Sequence, residues 1–174
     1  MLHFIRSTIA PVGFALLALQ LSAYGETKDE SLLDPQRTRS LKKEERRWFG
    51  PKSSTINYDA RMIRAAQIAQ ERAQPQKTWY CWRYVKNALL AAGLVSSRPT
   101  TAWARQAGEE LCKKHGFVRL KILDPRKAPV GAVIVYGGPD AGHVELRTEK
   151  GYVSDFVSLT PYPRPLLGVY VKPS

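Results

Sequence analysis

The hydrophobic periodicity of this chain changes near Gly116, and that change limits the folds the chain can adopt. Before it, apolar side chains recur at helical spacing over residues 59–73, 81–92 and 102–114, which predicts three amphipathic helices. After it come five short strand-like runs bounded by Gly, Pro and Asp, which read FVRLKIL, GAVIVY, HVELR, YVSDFVS and LGVYVK. Helices followed by strands predict an α+β domain, with the helices packed on an antiparallel sheet of about five strands.

The first 23 residues are expected to lie outside this domain. They carry one basic residue, Arg6, and then an apolar run that ends in small residues, which is typical of a secretory signal peptide. An uncleaved membrane anchor is the alternative, because the run approaches the length that spans a bilayer. The small residues favour cleavage, so the sequence predicts export to the periplasm or the cell exterior.

A polar, basic arm is predicted over residues 24–56, and the folded domain over residues 57–174. The chain has 27 Lys+Arg and 15 Asp+Glu, which gives a formal net charge of +12. Loss of Arg6 with the first 23 residues would leave 26 minus 15, or +11, and for an exported protein this charge predicts attraction to anionic cell-wall polymers. The sequence has no zinc, helix-turn-helix or RNA-binding motif, so nucleic acid is not expected as a partner.

Cys81 is the strongest candidate for a reactive residue. It opens the second predicted helix, in the segment TWYCWRYVKNALLAAGL. Only the thiolate form of cysteine attacks well, and the unpaired N–H groups and dipole of a helix N-terminus stabilise that anion. The same N–H groups can hold an oxyanion once a substrate carbonyl is attacked. The position therefore predicts a nucleophile.

After loss of the signal segment, His115 and His143 remain as candidate bases. His115 falls at a helix C-terminus, where the dipole favours a cation, so a capping role is predicted. His143 begins a strand and shares a polar face with Glu145, which favours His143 as the base. Asp155 is predicted to orient the imidazole, because a three-residue loop between the two strands would set His143 opposite Asp155. Glu145 is the alternative, and a two-residue loop would place Phe156 opposite His143 instead.

A disulfide is the competing interpretation of Cys81. The chain has two cysteines, Cys81 and Cys112, and an oxidising compartment would allow them to pair. The residues around Cys81 favour the nucleophile, whereas Cys112 falls at an inward helix position. No metal-ligand spacing such as HExxH or CxxC is present, and the glycine-rich GGPDAG precedes a strand rather than a helix. Neither a metal nor another cofactor is expected.

These residues resemble the CHAP and NlpC-type families of papain-like cell-wall hydrolases. The similar segments, within residues 76–172, are YCWRYVKNALLAAGL, APVGAVIVYGG, AGHVEL and GYVSDF. The resemblance implies a papain-like fold with Cys81 as nucleophile, His143 as base and Asp155 as the orienting residue. CHAP domains usually have Gln before the nucleophile, whereas NlpC-type enzymes often use an upstream Tyr, so the resemblance assigns an oxyanion role to Tyr80 or Tyr58.

The unusually aromatic stretch before and after Cys81 adds Trp79 and Trp82 as candidates to line a substrate groove. The expected function is that of a monomeric, exported cysteine peptidase or amidase that cleaves peptidoglycan stem peptides through an acyl-enzyme. A transglutaminase-like acyltransferase is one alternative, because it has the same order of Cys, His and Asp along the chain. A non-catalytic wall-binding module, with Cys81 tied to Cys112, is another, and a toxin-like effector is a third.

Overall fold

The computed structural model describes residues 56–174. The predicted signal peptide (1–23) and all but the last residue of the predicted arm (24–56) lie outside the described residues. The described part of the chain has three α-helices, which are α1 (Arg61–Glu71), α2 (Cys81–Ala91) and α3 (Ala107–His115). Short 3₁₀ helices occur at Ala104–Gln106, leading into α3, and at Pro125–Lys127. Within residues 56–174, no helix has the length and apolar character needed to cross a membrane.

The strands form one six-stranded antiparallel sheet in the order β1-β6-β2-β3-β4-β5. Their bounds are β1 (Val118–Leu120), β2 (Val133–Tyr136), β3 (His143–Arg147), β4 (Tyr152–Val153), β5 (Val157–Ser158) and β6 (Leu166–Val171). The helices precede the strands and pack on the sheet, so the predicted α+β class is confirmed.

The packing of α2 on β3 positions the residues of interest. The apolar stripe of α2 includes Val85, Ala88 and Leu89, which are at most 1% exposed. Full burial of a side chain as large as Val or Leu is favourable by about 1.5–3 kcal/mol. This burial fixes the helix against the sheet. In this arrangement the first residue of α2, Cys81, lies near the first residue of β3, His143.

The predicted strand YVSDFVS is in fact two strands joined by a tight reversal. The Ser154 N–H donates to the Phe156 carbonyl at 3.0 Å, and β4 and β5 pair on either side of that turn. The tip docks on the segment before α2, because the Gln74 N–H donates to the Asp155 carbonyl at 2.7 Å. Asp155 therefore occupies a turn, and the sheet has six strands where about five were predicted.

The turn between β3 and β4 also differs from the sequence-based register. The Thr148 N–H donates to the Gly151 carbonyl at 2.9 Å, so the loop has two residues, and the following residues pair in that register. A one-residue shift exchanges the faces of a strand. The prediction that a three-residue loop sets His143 opposite Asp155 is therefore wrong.

Candidate active site

A cleft of about 270 Å³ opens at the N-terminus of α2, and both Cys81 and His143 line it. Cys81 is half-buried, which leaves its thiol accessible from the cleft. His143 is 3% exposed, and β3 supplies it from the opposite wall. The structure thus brings the predicted nucleophile and the predicted base together.

The N-terminus of α2 has no side-chain cap among the described residues. Tyr80 occupies the capping position, and its side chain accepts no hydrogen bond from the first turn. The first N–H groups of a helix have no partner within the helix itself. Those of α2 are consequently available to an anion at Cys81, either the thiolate or an oxygen that develops charge beside it.

His143 is placed between the thiol and a carboxylate. Its Nε2 atom lies 3.4 Å from Glu145 Oε2, and both side chains are 3% exposed. Burial alone would lower the pKa of His143, but hydrogen bonding and charge at Cys81 and Glu145 outweigh it and raise that pKa above its usual value. An imidazole of this kind holds a proton readily and favours an ion pair with the Cys81 thiolate.

Glu145 is itself fixed by hydrogen bonds to its other oxygen. Glu145 Oε1 accepts from the Tyr136 hydroxyl at 2.6 Å and from the Tyr162 N–H at 3.4 Å. Burial and the neighbouring carboxylate raise the pKa of Tyr136, which keeps that hydroxyl a neutral donor. The other oxygen, Glu145 Oε2, faces His143. Glu145, which the sequence offered as the alternative orienting residue, is therefore the carboxylate next to the imidazole.

Asp155 is fully buried but has different partners from those predicted. Its Oδ2 accepts from the Thr78 N–H at 2.7 Å, the Thr78 hydroxyl at 2.9 Å and the Tyr80 N–H at 3.3 Å, and its Oδ1 from Ser154 at 2.9 Å. Burial would raise the pKa of Asp155, but these bonds outweigh it and lower the pKa below its usual range. No hydrogen bond of the described residues joins Asp155 to His143. Asp155 instead fixes the backbone that leads into Cys81.

Sequence reasoning did not find the residues that cover the imidazole. The Tyr162 ring stacks on His143 with centroids 3.9 Å apart and an interplanar angle of 22°. The Lys77 ammonium donates to the Tyr162 hydroxyl and lies 3.8 Å from the centre of a Trp79 ring. Tyr162 stands between two prolines in a loop, where hydrophobic periodicity gives no signal.

The four aromatic residues considered for the oxyanion hole or the substrate groove have different positions. Trp79 and Tyr80 are 76% and 57% exposed and line the cleft. Trp82 also lines it but is 4% exposed, and its indole N–H donates to Thr101. Tyr58 pairs with the C-terminal end of the chain and does not line the cleft. Of the two tyrosines considered as oxyanion donors, the structure brings only Tyr80 to the site.

Trp79 has a backbone conformation that is rare for its residue type. Its φ is +68°, and no other non-glycine residue in the described part of the chain has a positive φ. Such residues are strained, and they persist where surrounding bonds determine the conformation. Trp79 is held between two fixed points. Before it, Thr78 is hydrogen-bonded to Asp155, and α2 begins shortly after it, so the indole of Trp79 points outward.

Cys112 and His115 lie away from the cleft. Both cysteines are free thiols, and Cys112 lines a separate groove with Tyr170. Burial raises the pKa of Cys112, as expected for an unreactive thiol. His115 ends α3, and burial lowers its pKa. Within residues 56–174, no group of three or more His, Cys, Asp or Glu side chains is arranged to hold a metal ion.

Comparison with known proteins gives matches in solved structures. No protein-family profile matches the chain, and no curated protein matches its sequence. The crystal structure of the type VI native effector–immunity complex Tae3–Tai3 from Ralstonia pickettii matches with a TM-score of 0.53 and 23% identity, over 65% of this chain and 98% of that chain. The selenomethionine form of that complex gives a TM-score of 0.48 and 26% identity, over 63% and 97%. The first likeness shows the fold, which is α+β and of the papain-like class.

Proposed function

We propose that this protein is an exported cysteine hydrolase that cleaves amide bonds in peptidoglycan stem peptides. One observation carries the proposal, namely the pairing of Cys81 at the open N-terminus of α2 with the buried His143. Nucleophilic catalysis needs a thiol, a base within reach and a third group that orients the base. Cys81 and His143 line the same cleft, and Glu145 Oε2 lies 3.4 Å from His143 Nε2, which supports these three roles.

The reaction would proceed in two steps that share the same residues. The Cys81 thiolate attacks the amide carbonyl, and the first-turn N–H groups of α2 stabilise the oxyanion. Protonated His143 then donates its proton to the leaving amine, which gives an acyl-enzyme and a free amine. Water, deprotonated by His143, attacks the thioester, releases the carboxylic acid and restores the thiol and imidazole pair.

Glu145 and Asp155 would support this chemistry in different ways. Glu145 Oε2 faces the imidazole at 3.4 Å and favours its protonated form. Asp155 positions the nucleophile through the backbone of Thr78 and Tyr80. This division replaces the predicted Cys81–His143–Asp155 triad with a proposed Cys81–His143–Glu145 arrangement.

Export and charge support the cell wall as the site of action. The signal-like segment at residues 1–23 leads out of the cytoplasm, and the net charge of +12 favours anionic wall polymers. The solved structure that shares this fold is described as an effector in complex with an immunity protein. A protein inhibitor of that kind is therefore a second partner class, and an acidic surface on it would complement the net positive charge of this chain.

The test is digestion of purified peptidoglycan by the mature protein and by Cys81→Ala, with the products identified by mass spectrometry. We expect soluble fragments from the wild type and none from Cys81→Ala, while the matched thiol variant Cys112→Ala keeps activity. Full activity of Cys81→Ala would contradict the proposal. The mass of the fragments identifies the bond that is cut.

The same preparations separate the alternatives. Incorporation of an added primary amine without hydrolysis would favour the transglutaminase-like acyltransferase. Wall binding without any fragments, together with loss of both free thiols in the oxidised protein, would favour the non-catalytic module with Cys81 tied to Cys112.

A further inference from the structure

The cleft is lined by many more basic groups than acidic groups. Its acidic members are Asp140 and Asp155, and both are occupied. Asp140 forms a two-pronged ion pair with Arg164 on the rim, and Asp155 clamps the backbone at Thr78. The basic members of the wall are Lys77, Arg83, Lys86, Arg98 and Arg164. The cleft therefore retains a surplus of positive charge beside Cys81, which favours an anionic ligand.

Lys86 is the unusual member of this set because it is 5% exposed. Its ammonium donates to the Thr101 carbonyl and lies 5.1 Å from the centre of the Trp82 ring. An ammonium has three N–H donors, and the hydrogen bonds of the described residues use one of them. Burial, and then the positive charge of Arg98, lower the pKa of Lys86. A nearly buried cation beside a second cation is costly unless an anion compensates it.

Glu110 is the carboxylate whose charge acts on Lys86, and it compensates Lys86 only in part. Glu110 favours the charged form of Lys86, but each of its oxygens already accepts two hydrogen bonds from Thr100 or Thr101. Those bonds lower the pKa of Glu110 to about 2 despite its burial, so Glu110 is a carboxylate committed to the loop at residues 100–101. Lys86 lines the cleft and has N–H donors that no hydrogen bond of the described residues uses, so a second anion could accept from them.

Arg98 supplies the other half of the arrangement. Its Nε atom donates to Asn87 Oδ1 at 2.9 Å, which fixes the guanidinium on the end of its long side chain. No other hydrogen bond or ion pair of the described residues involves this guanidinium. Its terminal nitrogens can therefore bind a carboxylate, for which guanidinium geometry is well suited.

We infer that Lys86 and Arg98 form a carboxylate-binding subsite beside Cys81, which selects substrates with a free carboxylate near the scissile amide. The inference rests on the proposed function and adds the substrate feature that the cleft recognises. A carboxylate bound here accepts hydrogen bonds from both cations and removes their mutual repulsion. A peptide in which that carboxylate is replaced by a carboxamide has no negative charge there. When such a peptide binds, the positive charge of Lys86 has no added anion beside it.

The experiment uses two synthetic stem peptides that are identical except at one position. The first peptide, the acid, has a free carboxylate there, and the second, the amide, has a carboxamide. Affinity is measured by calorimetry on Cys81→Ala, and hydrolysis is measured on the wild type. We expect the acid to bind about tenfold more tightly than the amide, because a charge-assisted contact in a partly buried site has roughly that strength. Adding Arg98→Gln should reduce this preference to about twofold.

Matched variants separate the subsite from a general loss of charge. Arg64→Gln removes an equivalent positive charge from α1, outside the cleft, and should leave the acid-to-amide ratio unchanged. Arg98→Lys should restore part of the preference. Equal affinity of Cys81→Ala for the two peptides, or an unchanged ratio in Arg98→Gln, overturns the subsite. An acid preference without any hydrolysis supports the subsite and contradicts the proposed function.

Discussion

At the scale of single residues, the acid–base behaviour of the site depends on which carboxylate faces the imidazole. Glu145 Oε2 is 3.4 Å from His143 Nε2, whereas Asp155 bonds to backbone and hydroxyl groups of other residues. Both carboxylates are buried, and each stabilises a different neighbour. They can therefore be distinguished by what each substitution does to the pKa of His143.

We expect Glu145→Gln to lower the pKa of His143, because the substitution removes one of the groups that raise it against the effect of burial. The basic limb of the kcat/KM profile reports loss of the imidazolium proton, so that limb should move to lower pH. The measurement is the pH–rate profile from pH 5 to 10, together with NMR titration of the imidazole.

Two control variants accompany this prediction. Glu149→Gln changes an exposed carboxylate in the β3–β4 turn and should leave the profile in place. Asp155→Asn should lower the rate without moving the limb, since Asp155 has no bond to the imidazole. A shift in Asp155→Asn that equals the shift in Glu145→Gln would return the orienting role to Asp155.

Trp79 gives a second prediction at this scale. At most positions outside turns, a protein with Gly is less stable than the same protein with Ala. At Trp79, where φ is +68°, we expect the opposite order, because Gly adopts this conformation without strain. We expect Trp79→Gly to be more stable than Trp79→Ala by about 1 kcal/mol in urea unfolding. The same pair of substitutions at Gln76, which is exposed and has no positive φ, should show the usual order.

At the scale of elements, the β4–β5 hairpin supports the segment that leads into Cys81. Its tip lies against residues 74–80 through the Gln74 bond to the Asp155 carbonyl and the Thr78 bonds to the Asp155 carboxylate. These bonds order the segment that enters α2, and so they set the position of Cys81. A short hairpin of two residues per strand is stable here because its tip is buried against that segment.

Asp155→Asn tests this support through the pH dependence of stability. A carboxylate whose pKa is lowered by folding stabilises the protein above its unfolded pKa, near 4, and that contribution is lost as pH falls through the folded pKa. Wild type should therefore exceed Asp155→Asn by about 1–3 kcal/mol at pH 7, with the difference shrinking in acid. Urea unfolding from pH 2 to 7 measures it. A similar pH-dependent difference for Asp124→Asn, at the partly exposed cap of the Pro125–Lys127 3₁₀ helix, would contradict the assignment to Asp155.

The elements also show how far sequence patterns reach. The start of α2 at Cys81 and the α+β order follow from periodicity and glycine positions, and the structure has both. Apolar and polar residues alternate in YVSDFVS, and this alternation is compatible with one strand or with two short paired strands. The pattern therefore could not reveal the turn at Asp155. The stacking of Tyr162 on His143 joins a loop to a strand, and such contacts depend on tertiary packing alone.

At the scale of the whole molecule, charge should govern the encounter with the proposed wall substrate. The net charge of +12 and the basic cleft attract anionic polymers over distances comparable to the Debye length, which is about 10 Å in 0.1 M salt and about 3 Å in 1 M salt. We expect wall binding and kcat/KM on whole peptidoglycan to fall at least tenfold between these conditions. An uncharged short amide substrate serves as the control and should be much less sensitive. Equal salt dependence for both substrates would contradict a role for long-range attraction.

The clamp between Thr78 and Asp155 joins positions 77 residues apart in the chain. Because synthesis proceeds from the N-terminus, Cys81 and α2 are made long before the hairpin that holds them in place. A chain that stops early, or that is clipped before residue 155, keeps its thiol but lacks the support that aims it. Cleavage before residue 155 would therefore leave Cys81 in the chain without the bonds that position it, so the candidate site is complete only after the last third of the chain has been made and has folded.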